Sequence, residues 1–233
     1  MSNHESRITS HGFFVTGTDT GVGKTLVACS LLRACAARGV KAVGMKPVAS
    51  GAVPGAGGLV NDDVEQLIAA STISVPREHV NPYCFALPVA PHIAARLSGV
   101  TISLDRIEHS FRALAALADV LVVEGAGGFR VPLGADTDTT QLAARLALPV
   151  VLVVGMRLGC LNHALLTTES IRARGLKLAG WVANHIDPAM AALEDNVRTL
   201  AEGISAPLLA RIAFSRCPNP ATIAAAFDVA KLK

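Results

Sequence analysis

The sequence predicts a single α/β domain over residues 1–233, with a parallel β-sheet flanked by helices on both faces. Three observations predict it. Short apolar runs recur along the chain with helical patterns between them, as expected of strands buried on both faces. A glycine-rich turn at residues 17–25 (GTDTGVGKT) joins the first apolar run to the first helical pattern. With 233 residues, 51% of them hydrophobic and 17% charged, the chain is long and apolar enough to bury a full core.

The first run, 12–16 (GFFVT), reads as a buried strand. The turn after it ends like the phosphate-binding pattern G-x-x-x-x-G-K-[ST]. Gly23, Lys24 and Thr25 supply the end of that pattern, while Thr18 stands where its first glycine belongs and Gly17 comes one place early. Gly21 and Gly23 allow the backbone to curl so that successive N–H groups face phosphate oxygens. Lys24 then reaches the outer phosphates, and the Thr25 hydroxyl is placed to bind magnesium. Val27, Leu31 and Cys35, with Ala28 and Leu32 beside them, form one face of a helix running to about Arg38 and closed by Gly39. Strand, glycine loop and helix N-terminus together are P-loop NTPase-like. A tight turn without a ligand has no need of Lys-Thr after its glycines.

The second strand is read at 40–46, which brings Lys46 and Ser50 to its carboxyl end. Residues 50–58 (SGAVPGAGG) are too rich in glycine to pack, and 51–58 are expected to form a mobile flap. Asn61-Asp62-Asp63 opens a helix continued by Val64, Leu67 and Ile68; either aspartate serves as its cap or as a metal ligand. Leu104, Ile107, Phe111, Leu114 and Leu117 mark a further helix. The strand at 120–123 ends in Glu124, followed by Gly125, Ala126, Gly127 and Gly128. A carboxylate there is where a phosphate-loop enzyme holds magnesium, and the glycines favour close approach of a ligand over a merely solvated turn. Helical patterns near 138–146, 162–174 and 189–203 alternate with strands at 150–154, 180–183 and 208–212. Residues just after each strand face one crevice, the expected ligand site. Asn184 falls there, and His185 beside it is a candidate for a base pocket. Cys160 reads as a small packing residue, and His163 as structural.

A net charge of +3 without a basic block argues against nucleic acid or an acidic membrane as partner. The first twelve residues carry no apolar signal core, and residues 1–11 are expected to be weakly ordered. No apolar run is long enough to span a bilayer. Five cysteines, an odd number without a C-x-x-C pair, fit the reduced thiols of a cytoplasmic protein.

Taken in order, GTDTGVGKT (17–25), KPVASG (46–51), PHIAA (91–95), VEGAGG (123–128), LGCLNHALLT (158–167) and GWVAN (180–184) resemble the dethiobiotin synthetase family over nearly the whole chain. The resemblance implies an ATP-dependent cyclo-ligase of biotin biosynthesis. Such an enzyme uses MgATP and CO2 to close a ureido ring on 7,8-diaminononanoate. It implies that Gly21, Val22, Gly23, Lys24, Thr25 and Leu26 hold the ATP phosphates, and that Thr25, Asp63 and Glu124 hold Mg2+. Lys46 would be catalytic, with Lys24 and Thr20 holding the carbamate and phosphate, and Ser50 would touch substrate. Gly125, Ala126 and Gly127 would border the nucleotide. Asn184 would read adenine with His185 and the stretch Ala213, Phe214 and Ser215. The family is a homodimer with sites at the interface. Leu158, Gly159, Cys160, Leu161 and Asn162 would come from the partner subunit and bind the substrate carboxylate at a helix N-terminus. Alanine at 213 departs from the proline expected in the family.

Two other readings compete. A partitioning or cell-positioning ATPase carries a signature lysine early in its loop, K-G-G-x-G-K-T; here that position is Asp19, which cannot stabilise γ-phosphate charge. An amide-forming ligase of the same fold matches the loop equally well, but such enzymes usually bring a glutaminase domain.

Overall fold

In the computed structural model, which describes residues 11–227, six parallel strands form the central sheet. They are β1 (His11–Gly17), β2 (Ala42–Met45), β7 (Val120–Glu124), β8 (Val150–Met156), β9 (Leu178–His185) and β10 (Leu208–Ile212). Their spatial order is β10-β9-β8-β1-β7-β2. These are the six runs read from the sequence, with ends shifted by a few residues. The expectation for residues 1–11 lies outside the described residues, apart from His11 at the start of β1.

Alternation along each strand sends side chains to opposite faces. Val15, Val122, Val151 and Val153 pack with α1 (Lys24–Ala36) and α2 (Asp62–Ala70) in one core. Phe14, Leu121 and Val123 join α5 (Leu104–Ala115) and α6 (Thr139–Leu146) in a second. Leu152, Val154 and Trp181 pack under α7 (Cys160–Ala173) and α8 (Leu193–Gly203) in a third. Burying one such side chain is worth about 1.5–3 kcal/mol. Continuous apolar strands are the consequence of cover on both faces.

Three short helices were not anticipated: α3 (Arg77–Val80), α4 (Pro91–Leu97) and α9 (Pro220–Ala224). Nor was a two-strand parallel ladder, β3 (Val48–Ser50) with β6 (Tyr83–Phe85). The expected flap is a paired antiparallel hairpin, β4 (Val53–Gly55) with β5 (Gly58–Val60). Gly58, at φ 118°, permits the tight reversal, and Val53 lies opposite Val60. The last long helix, α8, begins at 193 rather than 189. Ala192 takes a left-handed φ of 52° just before it.

Candidate active site

The phosphate loop leaves β1 and enters α1 at Lys24. Gly21 and Gly23 have φ of 73° and 91°, the left-handed region that glycine tolerates. A Cβ at Gly23 would lie 2.3 Å from Asn184 Nδ2, and one at Gly17 would lie 2.6 Å from Val22. The early glycine therefore makes room for Val22, buried beneath the loop. Gly23 caps α1 without a side-chain hydrogen bond, so first-turn N–H groups are not taken by a capping side chain.

Behind the loop lies a cluster of charge. The Thr25 hydroxyl is 2.8 Å from Asp63 Oδ1 and 3.0 Å from Glu124 Oε1. Lys46 Nζ donates to Asp63 Oδ2 at 2.8 Å and also to Glu124 Oε1. The Lys46 side chain is 6% exposed and that of Glu124 is 1% exposed, whereas that of Asp63 is 40% exposed. Burial pulls the Lys46 pKa down, but Glu124 and Asp63 outweigh it and the net shift is upward. Burial raises the Glu124 pKa against the pull of Lys46. For Asp63 burial also acts upward, yet Lys46 and the Thr25 hydroxyl bring the net shift down. Lys24 Nζ donates to the Asp19 carbonyl at 2.9 Å. Burial, then the neighbouring Lys46 charge, lowers its pKa to about 8.

Neither aspartate caps α2. Asn61 does, accepting from the Val64 N–H, and its amide also donates to the Ser50 carbonyl. That leaves Asp63 free to face the loop. Lys46 is held from its backbone: its N–H donates to the Val80 carbonyl, and the Asn81 amide donates to its carbonyl at 2.6 Å. The sequence places Asn61 only at the start of a helix and gives Asn81 no role, because neither residue's tie to Lys46 or Ser50 leaves a local mark.

Two carboxylates and a hydroxyl form the hard oxygen set that Mg2+ accepts while keeping several waters. Glu124 Oε2 is buried without a hydrogen-bond partner, an orphan that a cation would satisfy. Among the described residues no group of three His, Cys, Asp or Glu side chains forms a protein-only metal cage.

A cavity of about 570 Å³ opens beside the cluster. Thr20, Lys46, Ser50, Asp63, Ala126 and Gly127 line it together with Asp19, Asn61 and residues 88–91. Ser50 Oγ is buried there without a partner. Gly125 donates its N–H to the Val15 carbonyl and holds the glycine turn against β1. Residues 88–91 lead into α4 and its PHIAA motif, to which the sequence alone assigned no role.

A second cavity, about 240 Å³, lies across the loop. Gly21, Gly23, Leu26, Asn184, His185, Ala213, Phe214 and Ser215 border it. Asn184 donates from Nδ2 to the Val22 carbonyl at 2.8 Å, which ties this cavity to the phosphate loop. His185 and Phe214 stand edge to face, with ring centroids 6.2 Å apart. The structure thus gathers the phosphate, metal and base candidates around one loop and the two cavities beside it, although Val22 is buried beneath the loop and Gly125 lines neither cavity.

The turn at 158–162 stands apart. Leu158 is 96% exposed, and none of the five residues lines either cavity. Gly159, at φ 93°, opens α7 without a side-chain cap. Cys160 is buried as expected, whereas His163 is exposed and packs in no core. All five cysteines are free.

A family model described as an AAA domain matches residues 11–217. The chain is 55% identical over 213 residues to the ATP-dependent dethiobiotin synthetase BioD of Aromatoleum aromaticum, covering 91% of this chain and 95% of that protein. The chain belongs to the dethiobiotin synthetase family. Family members named in the same way from Ralstonia nicotianae and Pseudomonas aeruginosa are 52% and 51% identical, each over 94% of this chain. They are matched over 96% and 97% of their own lengths. A ParA family ATPase from Chlorobium tepidum shares the fold of this synthetase-family chain, with a TM-score of 0.53 at 12% identity. That likeness covers 89% of this chain and 85% of the ATPase. Among the described residues, no helix is long and apolar enough to cross a membrane.

Proposed function

We propose that the chain is a dethiobiotin synthetase that uses ATP and CO2 to close a ureido ring on 7,8-diaminononanoate. The observation that carries the reading is the buried Lys46 bridging Asp63 and Glu124, between the phosphate loop and the 570 Å³ cavity. That arrangement suits a triphosphate on one side and a second anion on the other.

The chemistry asks for such a site. An alkyl amine has a pKa near 10.4, so roughly one molecule in a thousand is neutral near pH 7.4. The neutral amine attacks CO2, loses a proton and becomes a carbamate anion. A carbamate oxygen attacks the γ-phosphorus and ADP leaves, giving a carbamic-phosphoric mixed anhydride. The second amine attacks the carbonyl carbon, loses a proton and expels phosphate as the ring closes. No side-chain nucleophile is needed; catalysis is positioning and charge stabilisation.

In this reading Lys46 is the catalytic lysine, while Lys24 and Thr20 hold the carbamate and phosphate. Ser50, an unpartnered buried hydroxyl, contacts the diamine. Thr25, Asp63 and Glu124 would hold Mg2+. When bound there, Mg2+ supplies neutralisation of the β- and γ-phosphate charge. Asn184, His185, Ala213, Phe214 and Ser215 enclose the base. The chain acts as a homodimer. Leu158, 96% exposed, is an apolar side chain that a partner there would cover. Residues 158–162 then serve the carboxylate of the partner's diamine.

Co-substrate dependence tests the reading. ATP cleavage is expected to require both the diamine and CO2 and to ignore ammonia. Cleavage driven by ammonia points to the amide-forming ligase instead. The switch reading predicts cleavage with neither, and Asp19 in place of a signature lysine disfavours it.

A further inference from the structure

Asp19 and Arg157 lie 138 residues apart in sequence and form an ion pair at the rim of the site. The sheet explains the meeting. β1 and β8 are parallel neighbours with Gly17 beside Val153, so their chains emerge side by side. The Thr18 N–H donates to the Val153 carbonyl at 3.0 Å. Asp19, two residues past Gly17, meets Arg157, the residue just beyond the end of β8.

Each partner also holds something else. Asp19 Oδ1 accepts from the Thr20 N–H at 2.7 Å, and its backbone carbonyl accepts from Lys24 Nζ. The Arg157 carbonyl accepts from the Cys160 N–H at 3.0 Å, where α7 begins. A chain of contacts therefore runs Lys24, Asp19, Arg157, Cys160. It links the phosphate loop to the turn at 158–162.

A carboxylate in a phosphate loop is electrostatically wrong unless it is neutralised. Arg157 supplies that neutralisation. Lys24 has three N–H donors, so a phosphate it binds shares its ammonium with the Asp19 carbonyl, and Asp19 is the residue that holds Arg157. We propose that Arg157 is a positioning residue that, through Asp19, makes nucleotide binding at the loop and diamine binding at the 158–162 turn depend on one another. The inference rests on the dethiobiotin synthetase reading. Since that reading gives the turn to the partner's site, the dependence runs between the two active sites of a dimer.

The test measures diamine affinity by calorimetry, with and without the Mg2+ complex of a non-hydrolysable ATP analogue. The proteins are wild type, Arg157→Ala, Asp19→Asn, the double variant and Arg157→Lys. Turnover of labelled bicarbonate is followed in the same wild-type preparation. The analogue is expected to change the diamine Kd in wild type. That ratio should fall by about twofold to fivefold in each single alanine or asparagine variant, the range of a half-exposed ion pair. The double variant should be no worse than either single, and Arg157→Lys should keep most of the effect. Nucleotide affinity lost in Arg157→Ala should return when Asp19→Asn is added, a rescue that a purely structural arginine does not give. An unchanged ratio in the single variants, or single effects that multiply in the double, overturns the proposal. Inactive wild type removes the synthetase reading and the proposal with it; active wild type with an unchanged ratio in Arg157→Ala removes the proposal alone.

Discussion

Lys46→Met is the perturbation that most exposes how the site is balanced. Methionine keeps the unbranched stem as far as Cε and removes the ammonium. Glu124, with its side chain 1% exposed, and Asp63 then face one another around the Thr25 hydroxyl without their shared cation. Removing one partner of a buried pair costs about 3–5 kcal/mol. Asp63 is partly exposed, so the lower figure, about 3 kcal/mol, applies. For a domain of this size that lowers Tm by about 6–12 °C. The deficit depends on pH. Without Lys46, burial and Asp63 hold the Glu124 pKa further above its unfolded value. A carboxyl whose folded pKa is raised keeps its proton more readily folded than unfolded, so it destabilises as pH rises through that pKa. The gap to wild type should be widest near pH 8 and narrow toward pH 5. Thermal denaturation followed by circular dichroism across pH measures it. Mg2+ should recover part of the loss in the variant. In turnover the same change should cost on the order of a hundredfold or more in kcat. A variant that melts within a degree or two of wild type at pH 8, or turns over normally, shows that Lys46 neither neutralises Glu124 nor serves catalysis.

Three further outcomes are expected. Gly23→Ala places a Cβ 2.3 Å from Asn184 Nδ2 in a left-handed backbone, so the KM for ATP should rise by about tenfold or more, and an unchanged KM would mean the loop tolerates the shift. Asp63→Asn should move the magnesium titration of activity to higher concentration while leaving diamine affinity near wild type; an unmoved titration removes Asp63 from the metal set. Substitutions within 158–162 should raise the KM for the diamine, and mixed dimers with an inactive Lys46→Met subunit should recover part of the activity. No recovery in proven mixed dimers argues for a self-contained site.

Much of this site is legible in the sequence because the fold gathers strand ends. Lys46, Glu124 and Asn184 each follow an apolar run, and a parallel sheet brings such positions to one edge. The strands themselves are legible because both of their faces are covered. The three-residue pair β3 and β6 is too short for any period to register. The hairpin at 53–60 hides behind glycine and proline, which read as loop although its strands pair. Asp63 was ambiguous because helix capping and metal binding call for the same residue at the same place. Only the hydrogen bond from Val64 to Asn61 separates them. The Asp19–Arg157 pair has no local signature, since its partners meet through the register of β1 and β8.

The most direct measurement combines the protein with MgATP, 7,8-diaminononanoate and labelled bicarbonate, followed by acid. A free carbamate loses its label as CO2, while a closed ureido ring retains it. A dethiobiotin synthetase yields acid-stable label in step with phosphate release. Phosphate release without stable label contradicts the synthetase reading.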